Sequence, residues 1–108
     1  MTRFLQVVTT VDSQAVAESI AGELLDAHLA GCVQILGPIT SMYRWKGERE
    51  TAEEWMCVIK TDSDSYGDLE KAIRRVHPYD VPEILAMDVA TGHADYLTWL
   101  KEQLRPGE

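Results

Sequence analysis

Cysteine is scarce in this chain. Cys32 and Cys57 are the only two, each inside an apolar run. With no CxxC pair, a secreted disulfide framework and a cysteine-built zinc site are both excluded, while a single bridge between the two stays open. Glycine-rich phosphate loops are also missing, since Gly31, Gly37 and Gly47 are isolated and fit neither GxGxxG nor GxxxxGK[ST]. No serine stands in a nucleophile elbow. No apolar run approaches a membrane span, and the first residues enter a strand pattern without a signal-type apolar core. The cytosol is therefore the expected compartment, with no membrane partner. Positive charge is in short supply, and a formal net charge of −8 argues against a nucleic-acid binder that works by neutralising phosphates.

What is present suits one compact domain over residues 1–108. An apolar fraction of 45% can fill a single core. Phe4 to Val11 is β-branched and apolar and predicts a strand. Asp12 and Ser13 offer N-cap chemistry for a helix carrying Val16, Ile20, Leu24 and Ala27, with Gly31 as its terminator and His28 as a structural or exposed residue near its end. Cys32–Leu36 and Ile39–Trp45 read as one strand bent at Gly37-Pro38. A charged tip over residues 46–50 leads to a third strand, Glu53–Thr61, apolar on both faces. This hairpin looks too long for one small core, and Tyr43, Trp45 and Trp55 on it suggest a subunit interface. A second helix opens at Ser63-Asp64-Ser65 and carries Leu69, Ala72, Ile73 and Val76. A fourth strand spans Glu83–Thr91, a last helix Asp95–Leu104, and the tail from Arg105 to Glu108 is expected to fray. The order βαββαβ plus a C-terminal helix predicts an α+β, ferredoxin-like fold: an antiparallel sheet with two helices on one face and a long hairpin.

The chemistry gathers at His77-Pro78-Tyr79-Asp80-Val81-Pro82-Glu83-Ile84, where two prolines stiffen a helix-to-strand turn. It is either a stiff connector whose polar groups cap the helix or a site. As a metal site, His77 and Glu83 with Asp80 nearby would suit copper(II) or a similar divalent ion. As a small-molecule cleft between subunits, Tyr43, Trp45, Lys60, Tyr79 and Glu83 would line the walls, with the Lys60 ammonium meeting an anion or simply pairing with Glu83. Cys57, mid-strand on an apolar face, reads as a packed thiol rather than a nucleophile. An enzyme using Glu83 as acid or base ranks last, because no nucleophile or organic-cofactor motif supports it.

Across nearly its whole length the sequence resembles the CutA divalent-cation tolerance family. The resemblance is carried by Val7-Val8-Thr9-Thr10, Ala30-Gly31-Cys32-Val33, Thr40 to Glu48, Ile59-Lys60-Thr61, the octapeptide from His77 to Ile84, and Tyr96 to Leu100. It implies a tight homotrimer with hairpins packed across subunits, similar to the PII signalling proteins, and a role in tolerance of copper or other divalent cations without an established reaction. It also adds Cys32 to the metal candidates His77 and Glu83. Two donors of the family's metal-linked members are replaced here, by Val76 before His77 and by Thr9 in the first strand. The alternative implied by the PII likeness is a sensor whose inter-subunit cleft binds a small anion through Arg44, Trp45, Lys60 and Tyr79. A scaffold for other proteins is a further reading.

Overall fold

A computed structural model of the chain describes residues 2–106. The alternation in the first strand sets the layering. In β1 (Phe4–Val11) Leu5, Val7, Thr9 and Val11 are buried. Their side chains share a core with Ala17, Ile20 and Leu24 of α1 (Gln14–Asp26) and Leu69, Ala72 and Ile73 of α2 (Tyr66–Val76). Cys57 and Ile59 join them from β3 (Glu48–Asp62). β2 (Cys32–Trp45) and β4 (Ile84–Asp88) form the two edges, in the order β2-β3-β1-β4, and every neighbouring pair is antiparallel. α3 (Ala94–Gln103) closes the chain. The α+β, ferredoxin-like arrangement with two core helices on one face is therefore the one the sequence predicts.

The boundaries differ in instructive ways. α1 stops at Asp26, and His28, at φ 57°, takes the left-handed position expected of Gly31. Ala27, expected on the apolar stripe, is exposed. Gly31 serves packing instead, because a Cβ there would stand 2.5 Å from Leu100 Cδ1. β3 starts five residues earlier than its apolar pattern, at Glu48, because Lys46 and Gly47 both adopt positive φ. That pair makes a two-residue turn of the kind that matches strand twist, and it pairs Trp45 with Glu48 directly. β4 is shorter than expected, ending at Asp88. His93, expected in a plain turn, caps α3 by accepting from the Tyr96 N–H at 3.3 Å. Arg105 does not fray: its N–H donates to the His28 carbonyl at 3.0 Å and its guanidinium meets Asp68. Gly107 and Glu108 of the expected tail lie outside the described residues.

The second face of the sheet is apolar and largely uncovered. The register places Val8, Val58, Leu85 and Gln34 in one row across the strands, Leu36 and Met56 in the next, and Met87 beyond Gln6. Leu36 is 49% exposed, Leu85 57% and Met87 45%. α3 reaches only one end of this face, where Lys101 donates to Asp62 at 2.8 Å and Tyr96 lies near Cys32. Burial pushes the Asp62 carboxyl up, but Lys101 and the Ser65 N–H more than offset that and hold it below the usual carboxylate range. The hairpin continues past the core, giving a body 44 Å long and about 25 Å across, with Tyr43 and Trp45 exposed near its tip.

The bend at Gly37-Pro38 is a register shift between Leu36 and Ile39. It brings the Trp55 indole over Gly37, where a Cβ would stand 2.2 Å from Trp55 Cδ1. An aromatic ring cannot yield as a flexible chain end can. Gly37→Ala is expected to lower unfolding stability by about 1–3 kcal/mol, read as a drop in the urea midpoint with altered Trp fluorescence.

Candidate functional site

The turn from His77 to Glu83 is fixed by bonds to the sheet. Pro78 forbids the helix from continuing, so His77 takes extended backbone as the C-cap of α2. Its ring then turns inward and is 8% exposed. Nε2 lies 2.9 Å from the Thr10 carbonyl and Nδ1 lies 3.2 Å from the Tyr79 amide. A carbonyl only accepts and an amide N–H only donates, so the imidazole is neutral and carries its proton on Nε2. Tyr79 stacks edge-on against that ring at 4.8 Å and donates its hydroxyl to Glu54 Oε2 at 2.6 Å. Glu54 is itself only 7% exposed. Burial, then the Glu54 carboxylate, pushes the Tyr79 hydroxyl far above its ordinary range, so Tyr79 remains a donor.

Glu54 and the Thr10 carbonyl are the partners that sequence reasoning missed. The available signal was a second glutamate, after Glu53, set against Trp55 in an apolar strand, where an unpaired carboxylate is costly. The Asp62–Lys101 pair was missed as well, because its members are 39 positions apart.

The expected metal donors do not meet within one chain. Among the described residues no three His, Cys, Asp or Glu side chains converge on a point. His77 has both ring nitrogens engaged. Glu83 is exposed in the turn just before β4. Cys32 sits at the other end of the sheet, because it pairs with Lys60, whose neighbour on β1 is Gln6, whereas His77 reaches Thr10. Four residues of strand separate those levels, roughly 13 Å.

The expected anion-cleft residues are similarly dispersed. Lys60 donates to Gln34 Oε1 at 3.0 Å rather than pairing with Glu83. Arg44 and Trp45 lie opposite Arg49 and Glu48 near the hairpin tip. Lys60 is twelve strand residues from Glu48, roughly 40 Å along the strand. Tyr43 lies close enough to Tyr79 to add a small part to the upward shift of the Tyr79 hydroxyl, so that part of the set does come together. Cys57 is fully buried, its thiol faces the Ala17 carbonyl at 3.8 Å, and burial pushes it up to about 11, as befits a packed thiol.

Burial holds the His77 imidazole below its ordinary range, against the opposing pull of the Thr10 carbonyl, Asp12 and Glu54. The unfolded chain therefore takes up this proton at a higher pH than the native one. The stability linked to His77 is intact above about pH 6.5 and falls as pH drops below it, until the native imidazole also protonates. Urea titrations from pH 7 to pH 5 should show stability falling by no more than about 1.4 kcal/mol per pH unit from this group. His77→Gln should flatten that slope, and an unchanged slope would mean the His77 ring titrates freely.

The same fold and sequence pattern occur in known proteins. The family model for the CutA1 divalent ion tolerance protein matches residues 5–103. The chain is 42% identical over 96 residues to the divalent-cation tolerance protein CutA of Thermus thermophilus, a match covering 89% of this chain and 93% of that one. It is 39% identical over 93 residues to the human protein CutA, covering 86% of this chain and 52% of the human one. The solved divalent cation tolerance protein of T. thermophilus superposes with a TM-score of 0.93 at 39% identity, over 94% of this chain and 99% of that one. CutA1 from Oryza sativa gives 0.93 at 34% identity, over 95% and 94% of the two chains. A match that runs from β1 to the end of α3 leaves no element unaccounted for, and the chain belongs to the CutA1 divalent ion tolerance family.

Proposed function

We propose that the protein serves in divalent-cation tolerance as a homotrimer, and that any bound copper or similar ion is held by donors from more than one copy. The observation that carries this is the open sheet face, with Leu36, Leu85 and Met87 each about half exposed beside Val8, Met56 and Val58. Burying such side chains gains about 1 kcal/mol for each half that leaves water. A second copy of the same chain offers the same face and the same projecting hairpin. Three copies is the number the family resemblance implies.

Joint donation follows from the spacing described above. One chain brings no three donors together among its described residues, so a metal site needs contributions across an interface. Cys32, half-buried at the margin of the open face, and Glu83, exposed on the turn, are the candidates available to a neighbour. His77 could contribute only by giving up one of its two hydrogen bonds. Binding and assembly rather than catalysis is the role assigned, in keeping with the sealed Cys57 thiol. The small-anion sensor is not favoured, since its residues are dispersed and Lys60 is occupied by Gln34.

The test is a copper(II) titration against a competing chelator, with wild type compared with Leu85→Asp. The substitution puts a charge on the β4 edge of the open face and should dissociate the assembly. A saturable site in wild type that weakens at least tenfold in the dissociated variant is expected. Equal affinity in the dissociated variant would place the site within one chain and contradict joint donation. No saturable binding in wild type would contradict the metal part outright.

A further inference from the structure

In an acidic chain, positive charge that gathers in one place calls for a reason. Lys71, Arg74 and Arg75 stand at i, i+3 and i+4 on α2, all exposed. They line an open groove of about 470 Å³ whose other wall is Tyr79, Asp80 and Pro82 of the stiff turn. Three of the chain's ten Lys and Arg residues face this one groove. With Asp80 as the single carboxylate among the described residues that line it, the groove carries a formal surplus of two positive charges from those residues.

Two structural explanations fall short. The C-terminal end of the α2 dipole accounts for Arg74 and Arg75 in the last turn, but Lys71 lies before it. Ion pairing accounts for little. Arg74 reaches Glu70 only at 3.9 Å, and Glu70 already accepts from the Tyr66 hydroxyl at 3.0 Å. Among the described residues neither Lys71 nor Arg75 has a carboxylate within ion-pair distance. Like charges at i, i+4 repel along a helix, and here that repulsion is left standing.

We propose that the groove between α2 and the His77–Glu83 turn is an anion site for a compact diphosphate group. Its size falls in the range of small-ligand sites, roughly 300–1,000 Å³. Two guanidinium forks match phosphate oxygens in pairs, and the Lys71 ammonium adds a mobile point charge. The Tyr79 hydroxyl is committed to Glu54, so Tyr79 offers ring surface rather than a donor. The chain's net negative charge repels an extended polyanion such as a nucleic acid. A small anion inside the groove is governed by charges within a Debye length, about 8 Å at physiological salt. The wall formed by Tyr79 and Asp80 is held by the His77 ring, so the groove's shape depends on the locked turn. The site lies within one chain and does not depend on the proposed metal role or the trimer.

Calorimetric titration with sodium pyrophosphate in metal-free buffer at physiological ionic strength tests this directly. One saturable site per chain is expected, weakened at least tenfold in Lys71→Gln/Arg75→Gln, with the ligand-free thermal midpoint of the variant essentially unchanged. Both positions are exposed, so the fold should tolerate the change. A parallel arm with ADP separates a nucleotide from a free diphosphate, and saturable binding of either upholds the site. No saturable binding of either, or equal binding by wild type and the double variant, would overturn it.

Discussion

A sheet that is apolar on both faces must cover both. Here one face is closed within the chain by α1 and α2, and the other is closed only at one end by α3. The long hairpin and the exposed aromatics near its tip follow from the same requirement, since neither adds to the core of a single chain. A strand pair projecting past its helices has no stabilising partner unless another copy supplies one. The helices, the hairpin and the donor spacing all bear on the proposed assembly, in which each copy would complete its neighbours.

The stiff turn is the second fixed point. Pro78 ends α2, the His77 ring enters the space this opens, and its two nitrogens tie the turn to β1 and to itself. Tyr79 then reaches β3 through Glu54. Polar residues that look like a site in the sequence are thus in part the means by which the turn is held. That role does not exhaust them: one side of the turn walls the basic groove, and Glu83 stands free in solvent beyond it.

The layers were legible in the sequence because they rest on periodicity. Alternation in Phe4–Val11 and the stripe Leu69, Ala72, Ile73 each name the face that packs, although Val76, expected on the same stripe, is exposed, and the element order gives the topology. Gly37-Pro38 announced the bulge correctly. Ends were harder to place, because His28 accepted a left-handed backbone usually given to glycine, and Lys46-Gly47 made a tighter turn than the charged run implied. The site was legible in part. The sequence identified His77 and Tyr79 but not their partners, since Thr10 contributes a backbone carbonyl, which every residue has. Grouping His77, Glu83 and Cys32 required distances that sequence spacing does not contain. Lys71, Arg74 and Arg75 form a groove only once the turn is folded against α2, which no spacing along the helix announces.

The central claim is that the open sheet face is closed by copies of this chain. Sedimentation equilibrium of the wild-type protein over a hundredfold concentration range tests it most directly. The account predicts a single species of three chains' mass, persisting to low micromolar concentration. A monodisperse species of one chain's mass throughout would contradict it, and would leave Leu36, Leu85 and Met87 as an apolar face that the protein holds in water.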